Sequence, residues 1–136
     1  MVALAADRNT PLQTGGIEEH PVKGAAKLFA GGLVCLDATG LAIPGATAVG
    51  LVARGRAEEH VDNSDGADSA VRVRVRQGRF RWANSAAADA ITRAEIGDPA
   101  YIVDDQTVAK TNGGNTRSVA GTIRDVDAQG VWVETL

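Results

Sequence analysis

The chain has 136 residues, 44% of them hydrophobic but only 4% aromatic, and a formal net charge of −3. That length fits one domain with a buried core, and the acidic balance excludes a generally basic nucleic-acid binder while leaving room for a local basic stripe. The single cysteine, Cys35, excludes an internal disulfide.

Residues 1–16 read as an irregular or extended N-terminal arm, broken by Thr10-Pro11 and Gly15-Gly16. Such an arm either frays or is pinned by a partner. Its start, Met-Val-Ala-Leu-Ala-Ala, lacks the basic leader of a secretory signal, and no apolar stretch is long enough to span a bilayer. A soluble protein made in a reducing cytoplasm is the expectation. Residues 17–22 predict a short strand, placed at a sheet edge by Pro21. Residues 27–36, the turn Asp37-Ala38-Thr39-Gly40 and the run Leu41-Ala42-Ile43 predict a hairpin. Within it, Cys35 lies in the apolar run Leu33-Val34-Cys35-Leu36 and reads as a small buried hydrophobe rather than a nucleophile. Residues 48–56 predict a strand continuing toward Val61, and residues 62–69 a polar loop.

Residues 71–82, Val-Arg-Val-Arg-Val-Arg-Gln-Gly-Arg-Phe-Arg-Trp, alternate with period two, the pattern of a strand with one buried and one exposed face. Val71, Val73 and Val75 point one way; Arg72, Arg74 and Arg76 point the other. The parity then breaks, because Phe80 and Trp82 are even-numbered. A two-residue turn at Gln77-Gly78 restores the apolar face but sets Arg76 opposite Arg79 and Arg74 opposite Arg81, which like charges disfavour. A β-bulge at Gly78 restores it without that clash and leaves one long bent strand; the bulge is the preferred reading.

Residues 85–90 are small and alanine-rich, and residues 91–96 predict a single helical turn ended by Gly97 and Asp98-Pro99. Residues 100–103 and 107–110 predict paired strands around the turn Asp104-Asp105-Gln106. Residues 119–126 and 131–133 predict a last hairpin. Sixteen glycines and short strands at near-regular spacing argue for an all-β fold, a barrel or sandwich over residues 17–136 with at most one or two short helical turns.

Few groups are available for chemistry. Glu-Glu-His occurs twice, at 18–20 and 58–60; on a strand each Glu/His pair shares a face, yet a metal needs three or four convergent ligands. Solvated polar faces are the simpler reading. Asp62, Asp65 and Asp68 fail the EF-hand spacing, with Ala67 where glycine is required. Asp104-Asp105 reads as a turn, since adjacent strand residues face opposite ways. No nucleophile elbow, phosphate-cradling loop or Cys/His metal spacing is present. No catalytic residue, metal site or cofactor is expected. The arginine face Arg72, Arg74, Arg76, Arg79 and Arg81 has a nucleic-acid reading, with Phe80 and Trp82 as stacking platforms. The parity argument opposes it, because it places both rings on the apolar side. Pairing with carboxylates of the same fold or of a neighbouring subunit is the alternative.

Several segments together resemble the small capsid cement, or head decoration, proteins of tailed phages. They are Ala5-Ala6-Asp7-Arg8-Asn9-Thr10-Pro11, Ala30-Gly31-Gly32-Leu33-Val34-Cys35-Leu36-Asp37, Gly50-Leu51-Val52-Ala53-Arg54-Gly55-Arg56-Ala57 and Val61-Asp62-Asn63, with residues 71–84 and 96–105. The resemblance implies a non-enzymatic virion protein, made in the bacterial host cytoplasm. Such a protein binds the outside of an expanded head, commonly as a homotrimer, and clamps neighbouring major capsid protein subunits. It also implies a compact β body with an N-terminal arm that orders on the shell. On that expectation Asp7, Arg8, Asn9 and Thr10 touch the capsid, by adding a strand to an exposed sheet edge. Binding nucleic acid through the arginine strand is the rival reading, and a trimeric nucleotide hydrolase a third, for which the required groups cannot be assembled from this sequence.

Overall fold

A computed structural model describes residues 2–9 and 15–136. Among these residues twelve strands form two main sheets and a short two-stranded ribbon. The strands are β1 (Ile17–Pro21), β2 (Lys27–Leu28), β3 (Leu33–Leu36), β4 (Ala42–Pro44), β5 (Val52–Ala57), β6 (Val61–Asp62), β7 (Arg72–Arg76), β8 (Gly78–Asn84), β9 (Pro99–Ile102), β10 (Thr107–Ala109), β11 (Val119–Asp127) and β12 (Gly130–Thr135). The first sheet runs β1-β7-β5-β3-β4; β10-β8-β12-β11-β9 close into a barrel; β2 pairs with β6. The only helical pieces among the described residues are two 3₁₀ turns, Ala87–Asp89 and Arg93–Glu95. The all-β expectation is met. No helix among these residues is long and apolar enough to cross a membrane.

Local chemistry explains the elements. In β7, Val73 and Val75 are fully buried while Arg72, Arg74 and Arg76 are exposed, and burying each valine contributes about 1.5–3 kcal/mol. The parity break at Gln77-Gly78 has a different cause from the one expected. Residues 72–84 are neither one bulged strand nor a hairpin. The chain leaves the open sheet at Arg76 and enters the barrel at Gly78, whose φ is +150°. β7 and β8 do not pair with each other. The added residue is needed because the two halves bury their apolar faces in different cores: Val73 and Val75 in one, Trp82 with Phe80 against it in the other. Gly55 of β5 passes so close to this crossing that a side-chain carbon there would collide with the Arg76 carbonyl.

The first core fills the barrel with Ile91, Ile102, Val108, Ile123, Val131 and Val133, and also takes Leu33 and Cys35. The second holds Val22, Leu28, Val34, Val61, Val73 and Val75. Strand β3 therefore separates them: Leu33 and Cys35 face the barrel and Val34 faces the other way. Cys35 is fully buried, and loss of solvation pushes its thiol pKa up to about 12, so it is a packing residue, as expected.

Other expectations need adjustment. The hairpin over residues 27–43 is confined to β3 and β4, because a turn at Gly31 (φ +87°), with Gly32 N–H donating to the Phe29 carbonyl, detaches residues 27–28. These pair with β6 instead. The strand expected from residue 48 begins at Val52, after Gly50 in a left-handed conformation (φ +76°). The single helical turn expected in residues 91–96 is present, and a second precedes it.

Candidate functional surface: the arginine face

Strand β7 lies between β1 and β5, with Glu19 opposite Arg74 and Ile17 opposite Arg76. Strand β8 lies between β12 and β10, with Glu134 opposite Arg79 and Trp132 opposite Arg81. Both strands keep their arginines on the outer side; Arg76, Arg79 and Arg81 line one cleft, and Arg72 and Arg74 line another beside β1. All five are exposed.

The fold supplies this face with carboxylates. Glu58 accepts from Arg56 at 3.0 Å and from Arg76 at 2.7 Å. Glu134 accepts from Arg79 at 2.7 Å and from Arg124 at 3.2 Å. Arg74 lies 3.8 Å from Glu59, and Arg81 lies 3.8 Å from Asp127. Arg72 donates to the Glu19 carbonyl at 3.1 Å. The carboxylates respond as charge-assisted bonding requires. At Glu58, desolvation acts upward, but the bonds from Arg56 and Arg76 outweigh it and hold the group below the ordinary glutamate range. The Arg79 bond, then Arg124, does the same for Glu134 against desolvation. Asp127 is held low first by the Trp132 indole N–H, 3.1 Å away, with the Gln129 and Gly130 amides assisting.

Aromatic rings interleave with the cations. The Arg56 guanidinium sits 4.7 Å from the centre of the Phe80 ring, and that of Arg81 5.6 Å from the centre of a Trp132 ring. Trp82 is buried and Phe80 half-buried, so neither offers the open ring face expected of a base-stacking platform. Arg56, Arg124, Glu134 and Trp132 were not singled out from the sequence. Strand alternation marks Trp132 as outward-facing, between buried Val131 and Val133, but its position beside Arg81 depends on the pairing of distant strands.

The two Glu-Glu-His segments diverge. Glu18 and His20 share a face of β1 and are joined at 2.9 Å, with Arg54 completing a bidentate pair on Glu18. The Arg54 bond is the main reason Glu18 titrates low. Residues 58–60 are not in a strand: Glu58 turns to the arginines while His60 is exposed and packs on Phe29, ring centres 5.4 Å apart. Among the described residues no three His, Cys, Asp or Glu side chains converge as metal ligands. In the acidic loop, Asp62 accepts from Ser64 and Asp68 from the Gly24 amide. Asp104 caps Gln106 within its turn, as expected.

In the arm, Asp7, Arg8 and Asn9 are exposed and outside any strand; Thr10 lies outside the described residues. Val2 and Leu4 are 92% and 74% exposed. Comparison with models of known protein families, with curated proteins and with solved structures finds no match.

Proposed function

We propose that this chain is a structural virion protein that binds the outer surface of an expanded phage head and stabilises contacts between major capsid protein subunits. The observation that carries the reading is the arm: residues 2–9 are exposed along their whole length, include the apolar Val2 and Leu4, and precede a strand at the open edge of a sheet. An exposed segment of this kind gains both hydrogen bonds and apolar burial by joining a partner's sheet. The cost in ordering entropy is offset when a rigid body supplies further contact area, and many copies on a repeating surface need only modest affinity each. A homotrimer, which multiplies those contacts, is part of the proposal, and light scattering on the free protein checks it.

The rival nucleic-acid reading is weakened by the same surface that suggested it. Four of its five arginines have a carboxylate of the same fold within 4 Å, and its aromatic residues are wholly or partly buried.

The test is a truncation. Neither core draws on residues 2–9, so a protein lacking residues 1–14 is expected to keep its circular dichroism spectrum and melting temperature but to stop cosedimenting with undecorated expanded heads. Undiminished cosedimentation of the truncated chain removes the arm from the mechanism; failure of the intact chain to bind any head removes the reading itself.

A further inference from the structure

The surface crossed by β7 and β8 contains a cleft lined by Arg56, Arg76, Arg79 and Arg81, with Phe80, Trp82, Trp132 and Gly31 completing its wall. Among the described residues no carboxylate lines it. The side chains that would bond a guest there are all donors: the four guanidiniums, the Trp132 indole N–H being already given to Asp127.

The charge count points the same way. Around the cleft, Arg56 and Arg76 share Glu58, Arg79 and Arg124 share Glu134, and Arg81 is left with Asp127 at 3.8 Å, a carboxylate already engaged by Trp132. Five cations thus share three anions, giving a local excess of positive charge on a chain whose total is −3. Arg56 and Arg81 are also held against aromatic faces, which limits the rotamer freedom lost when they bind.

We infer that this cleft is a receptor for a carboxylate side chain presented by an acidic segment of a partner protein. A carboxylate is favoured over a phosphate chain because the cleft's own pairs have that chemistry: Arg56 Nη2 reaches both oxygens of Glu58, and Arg76 and Arg79 each donate through Nε to a carboxylate oxygen. A long polyanion would extend beyond this island onto the acidic remainder of the molecule, whereas one or two carboxylates act within a screening length. This inference does not depend on the arm or on the identity of the partner.

Both tryptophans of the chain, Trp82 and Trp132, line the cleft, so intrinsic fluorescence reports on it directly. The full-length protein is titrated with a blocked triglutamate peptide, a blocked triglutamine peptide and a short single-stranded oligonucleotide. Saturable change is expected with triglutamate only. The double variant Arg79→Gln with Arg81→Gln, both positions being exposed, is expected to weaken it by at least about tenfold, while Arg81→Lys retains part of it. Absence of saturation with triglutamate at millimolar concentration overturns the inference, as does unchanged affinity in a double variant whose circular dichroism is native. Tighter binding of the oligonucleotide than of the peptide overturns it in favour of nucleic acid.

Discussion

Asn63 is 3% exposed and sits at the centre of the acidic loop. Its side-chain amide donates to the carbonyls of Ala67, Lys23 and Val22 at 2.9, 3.1 and 3.2 Å, two hydrogens shared among three acceptors. The loop is therefore organised by an internal donor at the point where its carbonyl oxygens converge. Gly66 is required beside it, because a side-chain carbon there would collide with the Asn63 amide oxygen. Asn63→Ala leaves those carbonyls short of a donor and is expected to cost about 1–3 kcal/mol in urea unfolding. Asn63→Asp places a charge against the same oxygens and should cost more. Equal losses in the two variants would show that the amide's donor role is not what matters. The acidic residues around Asn63 draw attention in the sequence, but the neutral one holds the loop. Only its contacts with residues forty positions away reveal this.

Among the elements, the crossing at Gln77-Gly78 sets the face of everything after it. Deleting Gln77 shifts β8 by one residue relative to β7, which turns Phe80 and Trp82 outward and drives Arg79 and Arg81 toward the barrel core. The expected result is loss of cooperative unfolding, read as a broad or absent thermal transition; a sharp native-like melt would contradict the two-core account. The alternation on each side of the crossing was legible because solvent acts on it locally. Its cause was not, because nothing near residue 77 announces that two different sheets flank it. The same division holds elsewhere. Hairpins β3–β4, β9–β10 and β11–β12 are readable from the turn residues between them. The pairing of β1 with β7, and the parallel contact of β8 with β10, arise from closure of the fold over long stretches of chain. At the candidate surface, the outward arginines were readable for the same local reason, and their partners Glu58, Glu59, Glu134 and Asp127 were not. The helical turn at Arg93–Glu95 carries a signal that was missed: Thr92 and Glu95 form a capping box, the Glu95 carboxylate accepting from the Thr92 amide and Thr92 Oγ1 from the Ala94 amide.

Across the whole molecule, carboxylates held by ion pairs and hydrogen bonds make stability depend on acid. Glu18, Glu58, Glu134 and Asp127 all titrate below their ordinary values of 4.5 and 3.8 when folded. The folded chain thus binds fewer protons than the unfolded chain as the pH falls through that range. The stabilisation is present above about pH 4.5 and is lost on further acidification. Melting temperature is expected to stay nearly level from neutral pH to about pH 5 and to fall steadily by about pH 3; a flat profile through that acid range would mean that the bridges contribute nothing net. Because the pairs are partly exposed, added salt should reduce the drop.

Strand β3 gives the molecule one further property. Since Leu33 and Cys35 belong to one apolar interior and Val34 to the other, no cut through the sequence yields two self-sufficient pieces. A fragment ending at Arg76 would carry Leu33 and Cys35 with nothing to cover them, and the remainder would lack two of its innermost side chains. Cargo or affinity tags are therefore best grafted at the exposed turn around Ala128, away from the arm. Splitting the protein between its sheets would leave Leu33 and Cys35 in water and take them out of the barrel interior.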